Sequence, residues 1–198
     1  MISILITGFM ITAYSPRLFS LQSYSITPWP VSQKMSNQQI ISTKQASDGT
    51  LWIGTLAGID RYNGSEFTRF RPNMSGEGYI ESSRIVEVLE SSGGDIWVAT
   101  SDAGLLKFDE SINQFLPSSA LPINKTHMKR ISSAQIDTNG KIWIGYESGG
   151  VKTYATETGI AESIELPNEI RISSISESIN STIYASSADG RVFKIDST

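Results

Sequence analysis

The sequence predicts an all-β fold made of β-propeller blades, four in tandem with the last incomplete. Three observations carry that prediction. An aromatic-centred segment recurs four times, the spacing between copies suits a four-stranded blade, and short apolar runs inside each copy are separated by turn residues. The recurring segments are Asp48–Thr55, Gly94–Thr100, Gly140–Tyr146 and Ser181–Ser187, and their anchors are Trp52, Trp97, Trp143 and Tyr184, spaced 45, 46 and 41 residues apart.

The register extends beyond the anchor. Twelve residues before each aromatic stands an isoleucine, at Ile40, Ile85, Ile131 and Ile172. Six or seven residues after it stands a glycine, at Gly58, Gly104, Gly150 and Gly190. Ten or eleven after it comes a large apolar residue, at Tyr62, Phe108, Tyr154 and Ile195.

Within the first copy, residues 39–46 read as a strand and Ser47-Asp48-Gly49 as a turn, with a second strand at 51–55. Ala57-Gly58 turns into a third strand at 59–62, and Asn63-Gly64, the preferred pair of a type I′ hairpin, into a fourth at 66–70. Pro72, Pro117, Pro122 and Pro167 fall between copies, and no segment carries a helical stripe. One twisted sheet cannot bury both of its faces, whereas blades stacked about an axis bury them against each other. The anchor aromatics are therefore read as structural wedges between blades.

The blade repeats are expected at about 39–70, 84–116, 130–166 and 171–198. The fourth ends near Ile195 before a fourth strand, so residues 18–198 are expected to form part of a larger, seven-bladed ring, with 18–24 as a ring-closing strand. Residues 2–14 are uncharged, with the length of a signal-peptide core, so residues 1–17 are expected to be a leader, a buried strand being the alternative.

Composition removes several function classes. A net charge of −4 without a basic cluster argues against a nucleic-acid partner. The absence of cysteine excludes disulfides, a thiol nucleophile and cysteine zinc sites. Asp48, Asp95 and Asp137 recur beside the first turn of their repeats and are read as turn caps rather than as a calcium site. No metal and no cofactor is expected, and no catalytic constellation emerges.

One column has functional potential. Thirteen residues before the anchor stand Arg84, Arg130 and Arg171, with Gln39 in the first repeat. Each precedes the innermost strand of its blade, where the entering loops gather about the axis on one face. Three guanidiniums there, with Tyr79 and His127 nearby, would form a mouth for an anion or polyol. The competing reading is that they are solvated or paired with local carboxylates. His127, the single histidine, also reads as a solvated loop residue.

The motif Asp48-Gly-Thr-Leu-Trp-Ile-Gly-Thr55, followed by Gly58-Ile59 and Arg61-Tyr62, resembles the repeat of the two-component regulator propeller family. The resemblance covers roughly residues 36–198 and weakens in the fourth repeat, where Tyr184 replaces Trp and Asn180-Ser181 replaces the Gly turn. It implies a non-catalytic periplasmic sensor, the input portion of an inner-membrane signal-transduction protein. The output it implies is a histidine kinase or diguanylate cyclase beyond this chain, which itself would not be an enzyme. The expected partner is a small molecule or oligosaccharide, with dimerisation through the full-length protein and membrane contact only through N-terminal or absent segments. The alternatives are a propeller scaffold for protein–protein binding and a propeller lyase or glycan hydrolase.

Overall fold

The structure, a computed structural model, describes residues 25–29, 34–35, 37–118, 130–164, 166 and 170–196. The expected leader at 1–17 and the ring-closing strand at 18–24 lie outside the described residues, and residues 25–29 have no regular secondary structure.

From residue 37 onward the described chain is all-β. The first sheet comprises β1 (Ile40–Gln45), β2 (Leu51–Thr55), β3 (Gly58–Tyr62) and β4 (Phe67–Phe70). The second comprises β5 (Ile85–Glu90), β6 (Ile96–Thr100), β7 (Gly104–Asp109) and β8 (Gln114–Pro117). The third holds β9 (Ile131–Ile136), β10 (Lys141–Tyr146), β11 (Val151–Ala155) and β12 (Ala161–Ile164), and the fourth β13 (Ile172–Glu177), β14 (Ile183–Ser187) and β15 (Val192–Ile195). Each sheet is an antiparallel meander in chain order, and the fourth has three strands. These are four propeller blades, the last incomplete.

The turns follow from side chains that imitate the backbone. Asp48 Oδ1 accepts the Thr50 N–H at 2.8 Å, Asp137 Oδ1 accepts the Asn139 and Lys141 N–H groups at 2.9 Å each, and Asn63 Oδ1 accepts those of Ser65 and Glu66. The first strand of every blade also carries a β-bulge near its start, where the register slips by one residue against the second strand.

The first strands β1, β5, β9 and β13 lie side by side in that order, so each blade packs on the next. The anchor aromatics fill the wedges: Trp52, Trp97 and Trp143 are 3%, 2% and 9% exposed. Tyr184 faces out of the fourth blade, has no described blade beyond it, and is 37% exposed.

Two junctions share a set of fasteners. At blades one and two, the Gly54 backbone admits Ile85 so closely that a Cβ would lie 2.7 Å from Ile85 Cγ2. At blades three and four, Gly145 admits Ile172 in the same way, at 2.5 Å. Ser42 Oγ accepts the Val88 N–H at 3.2 Å, and Ser133 Oγ accepts the Ile175 N–H at 3.0 Å. Glu90 reaches across to the Ser47 N–H at 2.7 Å, and Glu177 to the Thr138 N–H at 2.9 Å. At blades two and three the same positions hold Ala99, Glu87 and Ile136, and Glu87 turns back to bond Ser42. Among the described residues no side-chain hydrogen bond or ion pair spans that middle junction. It closes on an apolar cluster that includes Leu89, Trp97, Leu105, Ile142, Ile144 and Tyr154.

Candidate functional site

The arginine column sits at one level of the fold. The carbonyls of Arg84, Arg130 and Arg171 accept the N–H of Ser101, Glu147 and Ala188, each at 2.8–2.9 Å. These donors are the first residues past the second strand of each blade, and the Gln39 carbonyl accepts from Leu56 equivalently in the first. The three arginines therefore head neighbouring inner strands on one propeller face, beside the turns that join second strands to third.

Those turns carry carboxylates that inspection of single motifs misses. Asp102, Glu147 and Asp189 fall four or five residues after their anchors, so they form an acidic column beside the basic one. Arg84 Nε lies 3.4 Å from Asp102, in the turn of its own blade. Arg171 lies 4.0 Å from Glu147, in the turn of the preceding blade. The guanidinium side chains are 59% and 57% exposed, so both pairs are solvent-screened and loose. Asp102 also accepts a hydrogen bond from Ser82, whose hydroxyl accepts the Arg84 N–H at 2.9 Å. The Ser187 hydroxyl and, after it, Arg191 hold Asp189 below the usual carboxylate range. Among the described residues the face thus carries two solvent-screened ion pairs beside the column rather than a purely positive funnel.

Tyr79 is not brought to the arginines. It bridges to Arg71 just after β4, and its carbonyl accepts the Phe115 N–H of β8 at 3.0 Å, which places it at the outer rim beside the outermost strands of the first two blades. Its hydroxyl donates to Glu81 at 2.8 Å, and that bond raises its pKa. His127 lies outside the described residues.

Also at the outer rim, Arg71 bonds Asp60 at 2.5 Å and the carbonyls of Ile59 and Phe70 at 2.7 and 2.6 Å. Asp60 is fully buried, and burial lowers the Arg71 pKa although Asp60 opposes it. Asp60 corresponds in register to Leu106, Lys152 and Phe193, so this latch belongs to the first blade alone.

Residues 34–57, which run from before β1 through β2 to the following turn, match the family described as Two component regulator propeller. These residues are similar to a regulator propeller repeat.

Solved structures agree with the blade arrangement. The extracellular domain of a protein assigned as a hybrid two component system of B. thetaiotaomicron superposes with a TM-score of 0.68 at 22% identity. The match covers 81% of this chain and 21% of that one. A second such B. thetaiotaomicron domain gives a TM-score of 0.64 at 23% identity, over 84% of this chain and 23% of its own. Virginiamycin B lyase from Staphylococcus aureus gives 0.59 at 14%, covering 80% and 56%. At these identities the likeness is one of fold. The chain spans less than a quarter of the two extracellular domains, and no curated protein matches it.

Proposed function

We propose that this chain is the ligand-sensing part of an exported signal-transduction protein, a non-catalytic arc of a larger periplasmic, seven-bladed ring. In this reading a histidine kinase or diguanylate cyclase output lies outside these 198 residues, anchored in the inner membrane. The observation that carries the reading is the regulator propeller repeat at residues 34–57 within a propeller fold.

The axial face, with Arg84, Arg130 and Arg171, is the proposed binding surface. A ligand carboxylate, phosphate or sulfate would take over the guanidiniums from Asp102 and Glu147 through forked hydrogen bonds. The exchange is inexpensive because the existing pairs are solvent-screened. Such a ligand biases signalling only in so far as it binds one arrangement of the blades more tightly than another.

The test is calorimetric titration with digalacturonate, an acidic saccharide. Replacement of the three arginines by glutamine is expected to weaken binding at least about tenfold, a loss of about 1.4 kcal/mol, with the far-ultraviolet circular dichroism unchanged. Binding that is indifferent to the triple replacement, or to added salt, would remove the axial face from the reading.

A further inference from the structure

Two hairpin turns carry an Asn-Gly pair: Asn63-Gly64 between β3 and β4, and Asn139-Gly140 between β9 and β10. Asparagine followed by glycine can react with itself. The glycine nitrogen attacks the side-chain carbonyl of the asparagine, and without a Cβ on glycine nothing crowds the approach. In the unfolded chain the two pairs are equivalent in this respect. The fold makes them unequal.

At Asn63 the carbonyl is polarised and the nucleophile is free. Asn63 Oδ1 accepts the Ser65 N–H at 3.0 Å, the Ser65 hydroxyl at 3.0 Å and the Glu66 N–H at 2.9 Å. These are distances at which donors stabilise an oxyanion. Attack on Cγ puts negative charge on that oxygen, so the three donors stabilise the tetrahedral species as well as the turn. Among the described residues the Gly64 N–H donates no hydrogen bond. Gly64 is exposed, has a φ of 100°, and no atom lies within 4 Å of where its Cβ would be. The turn is held in this form by Tyr62. Its hydroxyl donates to the Gly64 carbonyl at 2.5 Å, and its ring lies 4.8 Å from that of Phe67 on the facing strand.

At Asn139 both conditions are reversed. The Gly140 N–H donates to the Asp137 carbonyl at 3.0 Å, so attack requires that bond to break first. Gly140 is buried, and its carbonyl accepts the Thr156 hydroxyl at 2.8 Å. Asn139 bonds Asp137 Oδ1 through its main-chain N–H at 2.9 Å, and among the described residues its side-chain oxygen accepts nothing.

We infer that Asn63 is a modification site: the folded first blade directs spontaneous deamidation to Asn63-Gly64 and shields Asn139-Gly140. In the reaction the Gly64 nitrogen loses its proton to hydroxide and bonds Asn63 Cγ. The Cγ–Nδ2 bond then breaks, ammonia leaves with a proton from water, and a succinimide ring remains. Water opens that ring at either carbonyl, to aspartate or to isoaspartate, with no oxidant or reductant involved. Aspartate keeps the acceptor oxygens of the turn. Isoaspartate carries the main chain through its Cβ, which lengthens the link between β3 and β4 and strains the pairing of Tyr62 with Phe67. Either product adds a negative charge to the turn, and the change accumulates with the age of the molecule. The inference does not rest on the sensing role proposed above.

The experiment incubates the whole chain near neutral pH, folded and in guanidinium chloride, and digests samples with pepsin at intervals. Mass spectrometry of the peptides reads the conversion of each asparagine, with aspartate and isoaspartate separated by chromatography. In the folded chain Asn63 is expected to convert at least about tenfold faster than Asn139. In guanidinium chloride the two rates are expected to converge. Ser65→Ala removes one of the three donors and is expected to slow Asn63 in the folded chain only. Equal rates in the folded chain, a faster Asn139, or a ratio that persists in guanidinium chloride overturns the inference. So does a folded Ser65→Ala chain that reacts at the wild-type rate. Should that variant misfold, the comparison of the two turns in the wild-type chain decides alone.

Discussion

The junction between blades one and two and the junction between blades two and three use the same columns of sequence and arrive at different interiors. The first has a glycine for its neighbour's isoleucine, a serine that accepts a bulge amide, a glutamate that caps the adjoining turn, and four interlocked aromatic rings. The second has alanine, glutamate and isoleucine in the first three places, and serine and alanine where two of the rings would be. The third junction returns to glycine, serine and glutamate. The difference teaches that the anchor motif secures the stacking of blades, whereas the positions around it decide whether a wedge is filled, fastened or hollow.

The largest test of that contrast is truncation of the anchors. Trp52→Ala removes the centre of a filled cluster and is expected to cost about 5 kcal/mol, whereas Trp97→Ala enlarges a space already present and is expected to cost about 3 kcal/mol. Urea denaturation followed by circular dichroism measures both. Equal losses would mean that the hollow wedge is as tightly built as the filled one.

The glycine contacts provide the next test. A methyl at Gly54 or Gly145 would press on the Ile85 or Ile172 side chain, so Gly54→Ala and Gly145→Ala are each expected to destabilise by about 1–3 kcal/mol. Pairing Gly54→Ala with Ile85→Leu, which lacks the Cγ2 methyl, should recover part of the loss, and a double-mutant cycle reads that coupling. Ala99 already carries a methyl at the equivalent place in the middle junction, in one buried cluster with Ile131. Additive losses in the cycle would show that Gly54 is chosen for its strand conformation and not for the approach of the next blade.

How much of this was legible before folding follows from which positions repeat. The anchors, the isoleucines before them and the turn glycines recur at fixed offsets because every blade must solve the same stacking problem, so the fold class can be read from the sequence. The arginine column recurs for the same reason. Its acidic counterpart is harder to see, because the turns holding Asp102, Glu147 and Asp189 differ in length by one residue and the pairs form across strands and across blades. Tyr79 lies five residues before Arg84 and so reads as its neighbour, but Gly78 and Tyr79 are held at the outer rim by bonds to Arg71, Asn113 and Phe115. The absence of two phenyl rings between blades two and three was hidden for a related reason. Outer strands vary in their distance from the anchor, so Ser118 and Ala161 are recognisable as replacements for phenylalanine only once strand pairing fixes their register.

The smallest expected effect concerns the glutamate fastener, and it carries a sign. Glu90 is partly withdrawn from water, which works against its charge, but the donations from Ser47 and the nearby Lys44 outweigh that burial and hold its pKa below the ordinary glutamate value of 4.5. A carboxylate with a folded pKa below its unfolded one binds protons more readily in the unfolded chain. Its contribution to stability is therefore fully present above pH 4.5 and is lost as the pH falls through the depressed folded value. Glu90→Gln keeps the shape and removes the charge, and is expected to cost about 1 kcal/mol near neutral pH, the usual worth of one such bond. The cost should shrink towards zero as the wild-type carboxylate becomes protonated. The middle junction has Ile136 in the equivalent place, so it offers no matching acid-labile fastener. Urea midpoints of wild type and Glu90→Gln across pH 3 to 7, a span chosen to bracket the ordinary value of 4.5, measure the difference directly. Curves that stay parallel over that span would mean that Glu90 acts by packing alone, and the first junction would then lose the charge that distinguishes it from the second.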